Sequence, residues 1–503
     1  METLYLVAVH LGNPYVFLAA AAGVTWGILG GAMPGISPSI TMALLLPFTY
    51  TMDPTGAIVL LASTYVGAEY GGSIPAILIR TPGTNAAAAT VIDGYEMNKQ
   101  GRAGLALGIS LYSGVLGSLF GLTMLILLSK PLASVALAFT PPAYFALGVL
   151  GLSVIATLSG DSLLKGFVAA LLGLMIATIG TDPVTGANRF TFGSSDLLSG
   201  IAPVLIMVGM FAMSELLVQA SDRSEGTKVL SRPRIEFPGL KLARRLMFPQ
   251  SIGATIGTFE GVMPGAGGTI ASFMSYNEAR RWSRHKEEFG KGSPEGIAAP
   301  ETANNAVAET ALVPLLSFGI PGSNSTAILL GGFLIHGLVP GPMLFTRSAD
   351  VVHGLYAGLF IAAIGLLVIG ILMLPMCIWL VNRPRPYLSA FIFALILSGI
   401  FSIHASLFDL AIMLAAGTVG FFMRMLRIPF LPAVLGLVLG YLVESSFRRS
   451  LVLSGDDLSI FFTDKVSLAL LVVAFLFVAG SVGKRALDFV RHRPSAHYSE
   501  GSE

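Results

Sequence analysis

Two short breaks, Pro82-Gly83-Thr84-Asn85 and Pro321-Gly322-Ser323-Asn324, interrupt long apolar runs at corresponding places in the chain. Each has another proline seven residues earlier, Pro75 and Pro314, so the shared pattern is Pro-x6-Pro-Gly-(Ser/Thr)-Asn. A second pair precedes them, Gly31-Ala32-Met33-Pro34-Gly35 and Gly261-Val262-Met263-Pro264-Gly265. The order repeats at a spacing of about 230–240 residues, the mark of an internal duplication. Proline and glycine inside an apolar segment free backbone groups that lipid cannot satisfy, so such breaks persist only where protein or a cavity surrounds them. Matched breaks in two halves point to the substrate site of a transporter.

Composition fits that setting. Of 503 residues, 54% are hydrophobic and 12% charged, against roughly 25% charged in soluble domains. Many apolar runs approach the ~20 residues that a spanning helix needs. They are continuous rather than alternating, which argues against a barrel. The sequence therefore predicts an all-α polytopic membrane protein of two structural repeats, each with a re-entrant hairpin and a discontinuous helix, about 10–12 membrane elements in all. No basic n-region or small-residue cleavage site opens the chain, so no cleavable signal peptide is expected. The single cysteine, Cys377, excludes an internal disulfide framework and a cysteine-based metal cluster. A net charge of +2 gives no reason to expect a nucleic-acid partner; the expected surroundings are a lipid bilayer.

Basic residues cluster in a few loops. Residues 221–246 carry Arg223, Lys228, Arg232, Arg234, Lys241, Arg244 and Arg245 and read as a cytoplasmic linker. It divides a first transmembrane repeat, 1–220, from a second, 247–483, with a cytoplasmic tail at 484–503. A second basic loop, Arg280 to Lys291, follows the run Phe248–Met274. If both loops are cytoplasmic, that run enters and leaves on one side and turns at Pro264-Gly265. An arm of about 13 residues rises ~20 Å, enough to pass the middle of the bilayer. The segment from Asp93-Gly94-Tyr95-Glu96 to Gly101-Arg102 reads as a polar hairpin. Gly104/Gly108 and Gly117/Gly121 have the spacing of close helix packing, but such pairs arise by chance in a chain with 58 glycines.

A helix restarting after a break exposes unpaired N–H groups and the positive end of its dipole. Gly83, Thr84 and Asn85, with Gly322, Ser323 and Asn324, would thus make an anion site without full positive charge, suited to a substrate with two or more carboxylates. Arg80, beside the first break, could pair with such a carboxylate, pair with Glu69, or reach an interface. At the hairpin tips, Pro34, Gly35, Ser37 and Ser39, with Pro264, Gly265, Gly267 and Thr269, are candidates for sodium or substrate contacts. Glu69, Glu260 and Glu309 are carboxylates in apolar runs, and Glu301 lies nearby. A carboxylate there must face a cavity, a cation or a partner, so each serves either ion coupling or helix packing. No HExxH zinc motif and no Walker A motif occurs.

Several stretches together resemble the large membrane subunit of the tripartite tricarboxylate transporters. They are Gly31 to Gly35, Ala76-Ile77-Leu78-Ile79-Arg80-Thr81-Pro82-Gly83-Thr84, Asp93-Gly94-Tyr95-Glu96-Met97, Gly101-Arg102-Ala103-Gly104, Gly296 to Ala306 and Gly319-Ile320-Pro321-Gly322-Ser323. The resemblance implies secondary uptake of citrate-like carboxylates across a bacterial inner membrane, with a periplasmic solute-binding protein and a small membrane subunit as partners. It implies no cofactor, and sodium or protons as coupling ion. It also implies inverted repeats and elevator-type movement. Arg80 departs from the uncharged residue expected there. A channel or a membrane-embedded enzyme acting on a lipid-linked substrate are the rival classes; the convergent catalytic carboxylates or metal cluster of the latter are not evident, and the chain is not expected to be an enzyme.

Overall fold

The computed structural model describes residues 2–158, 162–182, 185–221, 233–263, 267–383 and 385–491. Helix dominates, and the sheet among the described residues is one short hairpin, Gly180–Thr181 against Asn188–Arg189. Among the described residues, seven helices are long and apolar enough to cross a membrane, and four shorter apolar helices accompany them. The chain is an all-α polytopic membrane protein.

The first half contains α1 (Pro14–Gly31), α2 (Pro38–Leu45), α3 (Pro54–Gly71), α4 (Ser73–Ile79), α5 (Ala88–Lys99) and α6 (Ala103–Ala136). The second contains α7 (Leu240–Val262), α8 (Gly267–Trp282), α9 (Pro294–Thr310), α10 (Leu312–Phe318), α11 (Asn324–Ile335) and α12 (Ala349–Val381). The two sets correspond in order. Local chemistry sets their ends. Asn13, Ser37 and Asp53 each accept a backbone N–H at the start of a helix whose first residue is proline, where the missing N–H costs nothing. Pro75 would collide with the carbonyl of Gly71, four residues back, and α3 ends at Gly71. Pro314 stands in the same relation to Thr310, the last residue of α9. Each discontinuous helix is therefore broken twice. The short segments α4 and α10 then end in left-handed residues, Arg80 (φ 59°) and Gly319 (φ 74°).

Glycine faces bring the helices together. Gly23, Gly27 and Gly31 lay α1 on the backbone of α3; a Cβ on Gly23 would lie 2.8 Å from the Cβ of Ser63. Gly253, Gly257 and Gly261 lay α7 on α9 in the same way, with 2.9 Å from a Cβ on Gly257 to that of Ala306. Spacing by four keeps each trio on one face, as close packing in lipid requires. Gly117 and Gly121 seat α6 on α9, while Gly354 and Gly358 seat α12 on α3. Gly104 and Gly108 lie under the backbone of Arg234–Phe237, which runs over the start of α6. The first hairpin closes where Trp26 Nε1 donates to the Thr41 carbonyl at 3.1 Å. In the second, Ile256 of α7 packs on the cluster holding Ala271 of α8. The remaining helices pair outside these, Leu163–Ala177 with Leu431–Ser454 and Pro203–Ser221 with Leu407–Met425.

Two details differ from the sequence reading. Asp93–Glu96 lie within α5, and the turn falls at Gln100–Arg102. Helix α7 begins at Leu240, inside the stretch read as linker. Pro264, Gly265 and the linker's Arg223, Lys228 and Arg232 lie outside the described residues.

Candidate functional site

The two breaks attach to one face of α3. Tyr65 and Ser323 share a hydrogen bond of 3.3 Å between their hydroxyls. One turn later, Glu69 accepts from Asn304 Nδ2 at 3.0 Å, and just past the end of α3 Thr84 packs on Gly72, whose carbonyl accepts the Gly83 N–H at 3.0 Å. Seven residues of helix rise about 10 Å, so both breaks, at Thr84 and Ser323, reach the end of α3 within two turns. Hairpins and breaks are exchanged between the halves: α2 packs on α11, and α8 packs on α5. Gly268, at the start of α8, faces Asn304 Oδ1 and Ala86 of the first break.

Within each break the residues divide their work. The Thr84 hydroxyl accepts the N–H of Ala87 at 3.2 Å. Ser323 accepts the N–H of Thr326 at 3.2 Å, and the Thr326 hydroxyl accepts the N–H of Ser323 at 2.7 Å, a reciprocal cap. Asn85 and Asn324 are exposed, and no side-chain hydrogen bond engages either among the described residues. The glycines allow the tight approach. A Cβ on Gly83 would lie 2.7 Å from Gly72 Cα and would strike the Gly31 carbonyl; one on Gly322 would lie 3.0 Å from the Gly261 carbonyl. The site thus offers two outward amides above two helix starts, an arrangement able to hold anionic oxygens.

Arg80 is exposed and lies over the ring of Tyr95, 5.9 Å from its centroid, with Lys99 on the same ring at 5.6 Å. It does not pair with Glu69, which accepts from Asn304. At the first hairpin, Ser37 Oγ is 2.9 Å from Ser39 Oγ, Ser39 is buried and Pro34 half-buried. Gly35, at φ 88°, turns toward Gln219, which donates to its carbonyl at 3.4 Å. Gly267 and Thr269 are half-buried at the second.

Buried carboxylates bind the two halves. Glu301 of α9 accepts from Thr90 of α5 and from Ser110 of α6 at 3.0 Å; Ser110 in turn meets Ser73 of α4 at 2.7 Å. Asp93 Oδ1 accepts the N–H groups of Gly290, Gly292 and Ser293 at 2.8, 2.8 and 2.7 Å, and Oδ2 accepts the Tyr276 hydroxyl at 2.9 Å. Glu260 is buried near the end of α7. Glu309 is buried, and among the described residues neither oxygen has a hydrogen-bond partner. A cavity of about 420 Å³ lies elsewhere, lined by Asp182, Tyr441, Glu444 and Arg448 among others. There Arg448 is neutralised by Asp182 and Glu444, and none of the residues expected from sequence lines it.

Sequence reasoning gave no site role to Tyr65, or to Asn304, which it read only as part of the run Gly296 to Ala306. The signal was present: each stands eighteen residues before the glycine of its own break, Gly83 or Gly322, and is polar in an apolar helix. It also passed over the hydroxyls of Ser73, Thr90 and Ser110, whose convergence only the fold reveals.

Residues 17–435 match the model of the tripartite tricarboxylate transporter TctA family. The chain is 39% identical over 461 residues, 91% of each chain, to an Agrobacterium vitis protein described as an uncharacterized 52.8 kDa protein in the TAR-I ttuC' 3' region. A second Agrobacterium vitis protein, from the TAR-II ttuC' 3' region and also described as uncharacterized, is 36% identical over 227 residues, 44% of this chain and 92% of that one. No solved structure matches the chain. With the match spanning most of the helical body described above, the chain belongs to the tripartite tricarboxylate transporter TctA family.

Proposed function

We propose that this chain carries a di- or tricarboxylate inward across a bacterial inner membrane, coupled to a proton or sodium gradient. A periplasmic solute-binding protein delivers the substrate, and a small membrane subunit completes the transporter. The observation that supports this most is the attachment of both breaks to the last two turns of α3, at Tyr65 and Gly72, with Asn85 and Asn324 exposed. In this reading the two amides and the helix starts hold separate carboxylates of one substrate. Thr84 and Ser323 keep the restarts in register, and Gly83 and Gly322 let backbone approach backbone. Arg80 draws the anion to the mouth of the site. Ser37, Ser39, Gly267 and Thr269, with Pro34, Pro264 and the tip glycines, shape the hairpins that close on substrate and ion. Two repeats divided by the basic linker form the moving and fixed parts, with linker and C-terminus in the cytoplasm.

The test is uptake into proteoliposomes holding this chain and its small subunit, with and without purified binding protein, under an imposed proton or sodium gradient. Accumulation of a di- or tricarboxylate that needs both binding protein and gradient is expected. Flux indifferent to both would mean a channel.

A further inference from the structure

Glu309 stands apart from Glu69, Glu301 and Asp93. Its side chain is fully buried, and among the described residues neither carboxylate oxygen has a hydrogen-bond partner. Glu69, Glu301 and Asp93 each receive donors. Glu309 occupies the last turn of α9, two residues before Ala311, on which Gly322 of the second break rests: a Cβ on Gly322 would lie 3.2 Å from the Ala311 carbonyl. On its other side is α6, where a Cβ on Gly121 would lie 2.9 Å from the Glu309 Cβ. The group is therefore wedged under one of the two helix restarts that form the candidate substrate site.

We propose that Glu309 is the proton carrier of the transport cycle. This rests on the transporter reading above and names its coupling ion. An ionised carboxylate in apolar surroundings without a donor is strongly disfavoured, so the group is neutral in this state. Bare sodium needs a shell of oxygens, whereas a proton needs only the carboxylate. Among elements packed on α9, α3 carries Tyr65, Glu69 and Tyr70. Helix α6 carries Tyr112 and the exposed Lys130, and α7 carries Glu260 and the basic Lys241, Arg244 and Arg245 at its start. Helix α9 itself adds Glu295 and Glu301, and α10 has no ionisable side chain. On α5 and α8, Asp93 and Tyr276 face the opposite end of α9, near Gly296. Among the described residues, no cation is paired with Glu309. When the site opens outward, water delivers a proton to a Glu309 oxygen. When it opens inward with its substrate, that O–H bond breaks and the proton leaves to water.

The experiment uses the reconstituted transporter with membrane potential clamped at zero and no sodium. Each unit of pH gradient then supports about tenfold accumulation per coupled proton. The wild type is expected to accumulate labelled di- or tricarboxylate under an acid-outside gradient. Glu309→Gln, a permanent mimic of the neutral acid, is expected to lose accumulation while still exchanging labelled for unlabelled substrate. Glu309→Asp, which keeps a carboxyl, should accumulate with an altered dependence on external pH. Accumulation by Glu309→Gln equal to wild type overturns the proposal, as does an unaltered pH profile in Glu309→Asp. Wild-type accumulation under a sodium gradient alone overturns it too, while leaving the transporter reading intact. A wild type that moves no carboxylate under any gradient overturns both.

Discussion

Replacing Asp93 with alanine should loosen the joint between the two halves. Asp93 on α5 accepts four hydrogen bonds, all from beyond the linker, and its side chain is fully buried. Alanine would strand the buried N–H groups of Gly292 and Ser293 and the buried Tyr276 hydroxyl; the exposed Gly290 N–H can turn to water. An unpaired buried donor costs about 1–3 kcal/mol, so three of them cost roughly 3–6 kcal/mol if water enters only partly. Asparagine keeps one carbonyl oxygen for the N–H groups and loses mainly the charge assistance, about 1 kcal/mol. The assay follows unfolding in detergent by reaction of a thiol dye with Cys377, the single cysteine, which is buried. The expected order of stability is wild type, then Asp93→Asn close behind, then Asp93→Ala well below. A wild-type midpoint for the alanine variant, or equal losses in both variants, would refute the reasoning.

Other perturbations follow the same geometry. Gly83→Ala and Gly257→Leu should each yield little folded protein, because the new atoms meet backbone at Gly31 and Ala303; monodispersity on size-exclusion chromatography checks this, and wild-type profiles would count against the packing account. Arg80→Gly should raise stability by about 1 kcal/mol by relieving a left-handed residue, and should raise the KM for uptake if the cation guides substrate; an unchanged KM removes Arg80 from the site. Asn85→Ala and Asn324→Ala should abolish uptake with normal membrane levels by immunoblot, and wild-type transport by both would sink the site assignment.

Much of this fold was legible because lipid makes the rules strict. Apolar runs marked the helices, and the Pro-Gly breaks marked where backbone must be sheltered. The family resemblance came from the same breaks. What escaped was decided by contacts across the linker. Asp93 read as part of a polar loop because its four donors come from residues 276–293. Pro75 and Pro314 were seen as repeats of spacing, yet their collision with Gly71 and Thr310 is what ends α3 and α9. The trios Gly23/Gly27/Gly31 and Gly253/Gly257/Gly261 were hidden by glycine abundance, and their partners on α3 and α9 give them meaning. The side chains at the breaks looked equivalent in sequence, but the fold uses Ser323 to cap α11 and Thr84 to close the turn that leads into α5, and leaves Asn85 and Asn324 outward.

The central claim is that the two breaks hold one substrate together. Cys377 is replaced by alanine, and a cysteine is placed at Asn85 or, separately, at Asn324. Maleimide labelling of each variant is timed with and without a panel of di- and tricarboxylates. The account predicts that the same carboxylate slows labelling at both positions over the same concentration range. Protection at one position only, or at neither, would contradict it.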